Sequence, residues 1–294
     1  MSQFVIDEGF LQQVELLQLL VKNNIAGRFG GNHQSKAYGS SCDFADFREY
    51  APGDDIKKID WNAFMRFDKL YMKLYLDERQ MHTRIYIDAS RSIAYGKGKK
   101  DEQALKIAAA LAYMSICDMD KVSIYAVKNN VAEEVISGML GRDRFYEEIG
   151  KLNDIVFDGD SYLSEAILRS TVGYGDGMSV IISDYLTDND FLDGIDHLVS
   201  KKRDVFCVQI LDKEELNPKT RGKMHFFDSE DIGRTYRKNI TREIIAAYRE
   251  ALEYAVERLR GHCLSRGANY ILVSSEESLH EIFFGKILEL GVAK

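Results

Sequence analysis

The chain has 294 residues, 45% of them hydrophobic, which is ample for one large domain or two, and its formal net charge of −8 disfavours broad attraction to nucleic acid or an anionic membrane. No apolar run approaches the roughly 18 residues of a membrane span, and Asp7 and Glu8 stand where a secretory leader wants a basic start. The expectation is therefore a cytoplasmic protein. Cys42, Cys117, Cys207 and Cys263 show neither C-x-x-C spacing nor a dense disulfide framework, and they read as reduced core residues.

Phe10 to Asn23 is rich in Leu, Val and Gln and predicts a helix, followed by an exposed Gly, Asn and Ser-rich loop from Gly27 to Ser41. The charged and aromatic block from Asp43 to Asn62 reads as a structural collar, with Arg48 paired to a nearby acid and Trp61 buried. The competing reading is a docking surface for a partner. Lys69 to Leu76 alternates as a half-buried strand does, so residues 1–80 form an amino-terminal extension with a helix and added strands.

From Thr83 the pattern becomes strand, a long helix from about Lys99 to Met119, a hairpin across Lys128-Asn129-Asn130, helix, a loop at Ser161 with a helix after it, and a strand from Val180. This alternation predicts an α/β fold with a mostly parallel, doubly wound sheet and helices on both faces over residues 81–294. The long helix is apolar on more than one side, through Leu105, Ile107, Ala108, Leu111, Met114 and Ile116, and should be central and buried. A hairpin is predicted as an insertion near residues 224–237. Then come a helix from Thr241 to about Arg266, a strand from Tyr270 to Ser274 and a helix from Leu279 to Leu290.

Asp88-Ala89-Ser90-Arg91-Ser92 closes the apolar run Ile85-Tyr86-Ile87, placing a carboxylate and two hydroxyls just past a strand end. In open α/β sheets that end is the ligand crevice. Two later segments supply more oxygen in the same context: Ser161 before a helical pattern, and Asp184 after the strand Val180-Ile181-Ile182-Ser183. Asp88, Ser90, Ser92, Ser161 and Asp184 are thus candidate ligands of one divalent cation. Hard oxygens with few charges suit Mg²⁺ best, with Mn²⁺ or Ca²⁺ as alternatives. The bland reading is that both aspartates cap helices and the serines bond backbone.

The order of these five residues resembles the metal-ion-dependent adhesion site of von Willebrand factor A domains. The flanks resemble the bacterial domain of unknown function 58 family: Asp43-Phe44-Ala45-Asp46-Phe47-Arg48-Glu49-Tyr50, Pro52-Gly53-Asp54-Asp55-Ile56, Ile59-Asp60-Trp61-Asn62 and Glu78-Arg79, with Phe227-Asp228-Ser229-Glu230 and Gly233 downstream. Ser161 replaces the more usual Thr of the adhesion site, keeping the hydroxyl. The resemblance implies a von Willebrand factor A-like fold and a partnership with a MoxR-type AAA+ ATPase or its client, in an adaptor or chaperone-like role.

Other chemistries lack their motifs. There is no phosphate loop, no H-E-x-x-H among the six histidines, no G-x-S-x-G, and Gly173-Tyr174-Gly175-Asp176-Gly177 precedes a strand instead of following one. The favoured class is a non-enzymatic, metal-dependent protein-interaction module, whose cation, rimmed by Arg91, Lys97 and Lys99, accepts an acidic residue from a partner. Lys97, Lys99 and Lys100 read as a solvated loop. The alternative is a metal-assisted phosphoryl hydrolase with Asp88 as nucleophile, disfavoured because no second Asp follows at position 90 and no paired lysine is evident.

Overall fold

The computed structural model describes residues 5–28, 44–75, 81–94, 99–175, 177–218, 222–227 and 235–292. Helix α1 (Glu8–Arg28) opens where Asp7 Oδ1 accepts the Phe10 N–H at 2.8 Å, and it buries Phe10, Val14 and Leu17, the spacing of one helical face. It is longer than the apolar pattern predicts, since Gly27 and Arg28 remain helical; the rest of the predicted Gly27 to Ser41 loop lies outside the described residues, as do Cys42 and Asp43. Residues 1–22 cluster with residues 81–294, and residues 23–80 form a second unit. The predicted 1–80 extension is therefore divided, its helix mostly joining the larger unit.

In the smaller unit, β1 (Phe44–Glu49) pairs antiparallel with β2 (Tyr71–Tyr75), and α2 (Trp61–Phe67) lies between them in sequence. Asp60 caps α2 by accepting from the Asn62 and Ala63 N–H groups, with Lys73 Nζ 3.3 Å from its other oxygen. Arg48 pairs with Asp54 at 2.8 Å, as the collar reading expects. Trp61 departs from that reading: it is 55% exposed, and α2 buries none of its seven residues. A two-stranded ribbon offers little area to cover a helix, and among its described side chains the buried one is Met72, beside Ile59.

The larger unit carries a six-stranded sheet made of β3 (His82–Asp88), β4 (Lys121–Lys128), β5 (Val131–Met139), β6 (Met178–Ser183), β7 (Asp204–Leu211) and β10 (Asn269–Ser274), in spatial order β10-β7-β6-β3-β4-β5. All neighbours are parallel except β4 and β5, the hairpin predicted at Lys128-Asn129-Asn130. The short α3 (Arg91–Ala94) and the long α4 (Lys100–Cys117) follow β3; α5 (Arg142–Glu148) and α6 (Leu163–Arg169) precede β6; α7 (Leu192–Ser200) leads to β7. After α8 (Lys213–Leu216), β8 (Gly222–Phe227) and β9 (Thr235–Ile240) form the predicted antiparallel insertion, whose connecting residues 228–234 lie outside the described residues. Helix α9 (Arg242–Ser265), capped by Thr241, leads to β10.

Alternation along β3 builds two cores. Ile85 and Ile87 face α1 and α4, whereas Tyr86 joins Ile181, Cys207, α6, α7 and α9 on the other face. Helix α4 is as buried as its composition predicts, Ile107, Ala108, Ala109, Ala110 and Ala112 being fully enclosed. The terminal helix predicted over Leu279 to Leu290 is present as one helical run over residues 279–292, whose stretch Glu281–Ile287 is π-helical before α10 (Leu288–Val292). Apolar spacing over two turns does not distinguish the two geometries.

Candidate metal site at the sheet switch point

The chain leaves β3 for β4 on one side and later returns to place β6 on the other, so the strand order reverses between β3 and β6. The crevice outside the carboxyl ends of these two strands is where such sheets bind ligands. Asp88 ends β3 and Asp184 follows β6 directly.

Short backbone bridges draw the third segment over this crevice. Gly159 pairs with Ser90 and Ser161 with Asn129 in parallel bridges, and the Arg91 N–H donates to Gly159 O at 2.8 Å while the Asn129 N–H donates to Asp160 O at 2.9 Å. Asn189 Nδ2 donates to Ser161 O at 2.8 Å, fixing the loop from the β6 side.

Four of the five predicted residues form one connected cluster. Asp88 Oδ1 accepts the Ser90 N–H at 3.0 Å and Asp88 Oδ2 accepts the Ser161 hydroxyl at 2.9 Å, while the Ser90 and Ser92 hydroxyls lie 2.9 Å apart. Asp88, Ser90, Ser161 and Asp184 are all buried. Burial foremost, and then the negative charge of Asp184, push the Asp88 carboxyl up to about 6 against the lowering effect of hydrogen bonds from Ser183, Ser90 and Ser161. Asp184 is close enough to repel Asp88, but its own bonds run elsewhere: Oδ1 accepts the Leu186 N–H at 3.1 Å, and Oδ2 accepts from Lys100 Nζ at 2.9 Å.

Ser183, Lys100 and Glu215 were not legible as site residues. Ser183 donates to Asp88 Oδ2 at 2.6 Å and accepts the Tyr185 N–H at 2.9 Å; in the sequence it passes as the last residue of an apolar strand. Lys100 is 2% exposed, not part of a solvated loop, and its Nζ is shared between Asp184 and Glu215 Oε1 at 2.8 Å. Burial works against the charged ammonium, yet the two carboxylates outweigh it and hold its pKa above the ordinary lysine value. The signal available in the sequence was a lysine in the first turn of an otherwise buried helix, where the macrodipole opposes it.

The basic rim also differs from expectation. Arg91 Nε donates to Asp158 O at 2.8 Å, with its guanidinium 3.8 Å from Asp160, and Lys99 pairs with Glu102 at 3.0 Å. Lys97 lies outside the described residues.

The donor set suits a hard cation. Its side-chain donors are all oxygens, and a buried carboxylate with a raised pKa is a group that a cation would return to its charged form. Asp88, Ser90, Ser92 and Ser161 are the residues that would hold Mg²⁺ or Mn²⁺ with retained waters. Among the described residues, no three His, Cys, Asp or Glu side chains cluster as a metal cage would require.

An uncharacterized protein of Mycobacterium bovis is 23% identical over 231 residues, covering 76% of this chain and 72% of that protein, and a counterpart from Mycobacterium tuberculosis matches equally. Among solved structures, an aerotolerance-related membrane protein from Bacteroides fragilis aligns over 71% of this chain and 99% of its own, with 13% identity and a TM-score of 0.38. The VWA domain of SpRpn10 aligns over 71% and 95%, with 8% identity and a TM-score of 0.39. The six strands, parallel except for the β4–β5 hairpin and covered by helices on both faces, form the doubly wound, von Willebrand factor A-like α/β fold that the sequence resemblance implies. The family described as protein of unknown function DUF58 matches residues 46–260, and the chain belongs to it.

Proposed function

We propose that this chain is a non-enzymatic protein-interaction module whose switch-point site takes a divalent cation, Mg²⁺ by preference, and through it an acidic residue of a partner. The observation that carries this reading is the charge balance of the buried cluster. Of its two buried carboxylates, Asp184 is engaged by the Lys100 ammonium, which Glu215 shares, so that Asp88 and neutral hydroxyls are what remains to coordinate a doubly charged ion. Such an ion keeps an excess of positive charge that a carboxylate from another chain can balance. The partner class, a MoxR-type AAA+ ATPase or its client, rests on the family resemblance.

The test is a calorimetric titration of the chain with the MoxR-type ATPase of the same genome, using wild type, Asp88→Ala and Ser90→Ala with and without EDTA. A coordinating carboxylate that loses its ion is left desolvated and unpaired, at a cost of about 2 to 5 kcal/mol. Chelation and Asp88→Ala should therefore weaken binding tens to thousands-fold. Unchanged affinity in variants with native circular dichroism would move the docking site elsewhere, with the block around Trp61 the first alternative.

A specific observation keeps the phosphoryl hydrolase reading in view: Lys100, bonded to Asp184, brings to the cluster a lysine that the sequence did not reveal. Asp88, however, is fully buried and accepts three hydrogen bonds, an environment that blunts a nucleophile.

A further inference from the structure

Lys100 opens α4 immediately after Lys99, whose backbone is left-handed, and from there its side chain turns into the protein. A buried ammonium in the first turn of a helix is opposed by the macrodipole and by lost hydration, and it persists only with partners. Its partners come from two other elements: Asp184 after β6, and Glu215 on α8. Glu215 is itself held in place, because its second carboxylate oxygen accepts the Asp212 N–H at 2.7 Å in a capping box. The cluster therefore contains a resident monovalent cation, delivered by the helix that follows the Asp88 loop.

We propose that Lys100 is a built-in competitor for Asp184, holding that carboxylate on its own ammonium and so lowering the affinity of the site for a divalent cation. This inference rests on the metal reading above. It assigns different work to the two aspartates: Asp88 is the carboxylate available to metal, and Asp184 is engaged by Lys100. It also explains how a site with two buried carboxylates retains an appetite for a third from a partner.

The probe is Mn²⁺ alone, followed by calorimetry and by the electron paramagnetic resonance signal of bound Mn²⁺. Lys100→Met keeps the side-chain length and removes the charge, and Mn²⁺ affinity should rise about tenfold or more. Because Lys100→Met leaves the buried Asp184 and the half-buried Glu215 unmatched, Lys100→Met/Glu215→Gln provides a second background with one fewer charge, and the same gain is expected there. Asp184→Asn should change affinity little when Lys100 is present and cancel the gain when it is absent, a coupling read from the double-mutant cycle. Asp88→Asn should abolish binding in every background.

Equal or weaker Mn²⁺ affinity in both folded Lys100 variants, while wild type binds and Asp88→Asn does not, overturns the role of Lys100 and leaves the metal reading intact. Absence of Mn²⁺ binding in every variant overturns both. Binding confined to the Lys100 variants supports the competition in its strongest form.

Discussion

Asp88 shows how one residue's surroundings set a measurable sign. Its folded-state pKa of about 6 lies above the ordinary aspartate value of 3.8, so the folded protein holds this proton more tightly than the unfolded chain does. The contribution to stability is complete below the unfolded value and is lost as pH rises through 6; a two-unit shift corresponds to about 3 kcal/mol. In chelator, the difference in unfolding free energy between wild type and Asp88→Asn should therefore move in favour of the variant between pH 4 and pH 7, and added Mn²⁺ should reverse it at pH 7. A pH-independent difference would mean that Asp88 is not strained by burial. Ser183→Ala removes a donor 2.6 Å from the same carboxylate and the acceptor of the Tyr185 N–H. It should cost about 1 to 3 kcal/mol in denaturant unfolding and raise the Asp88 midpoint further. At this scale the sequence was readable where a polar side chain stood at a strand end or in a loop, as Asp88, Ser90 and Ser161 do. It was opaque where a polar residue sat inside an apolar run, as Ser183 does, or where a lysine's partners were distant in sequence, as Asp184 and Glu215 are from Lys100.

Between elements, the site depends on how closely the Ser161 loop approaches the β4 end. A Cβ on Gly159 would lie 2.5 Å from Lys128 Cγ and 3.2 Å from the Asn129 N, inside the pair of bridges that set Ser161 against Asp88. Gly159→Ala should therefore destabilise by about 1 to 3 kcal/mol through overpacking and weaken Mn²⁺ binding. Gly150→Ala, which meets nothing within 4 Å, is the control. Thermal melts and Mn²⁺ titrations of the pair decide the point: equal behaviour would mean the loop has slack. Strand and helix periods, the β4–β5 turn and the Thr241 cap were legible because each is a local pattern. The closeness of Gly159 to Lys128 is a tertiary fact, and a glycine before Asp160 and Ser161 looks like any loop glycine. The π-helical stretch inside the terminal helix was hidden for a related reason, since its apolar spacing fits an α-helix equally well.

For the whole molecule, a mostly parallel, doubly wound sheet was readable because strands alternate with helices, and its observed strand order puts the ends of β3 and β6 together. Exposure of the Trp61 face was not, since composition makes an aromatic helix look like core and cannot say how small the ribbon beneath it is. The same sheet order bears on catalysis. A phosphoryl hydrolase needs its nucleophile at the mouth of the crevice, whereas Asp88 is completely buried under Ser161 and Ser183 and carries a raised pKa, so that without metal it is largely protonated below pH 6. No phosphate loop cradles a nucleotide elsewhere in the sequence. With Mg²⁺ or Mn²⁺, wild type and Asp88→Asn should accordingly release phosphate from ATP and from p-nitrophenyl phosphate at the same background rate. Metal-dependent turnover that vanishes in a folded Asp88→Asn variant would instead show that metal binding opens the cluster far enough to expose the carboxylate. Asp88 would then be a nucleophile and not an anchor for the ion.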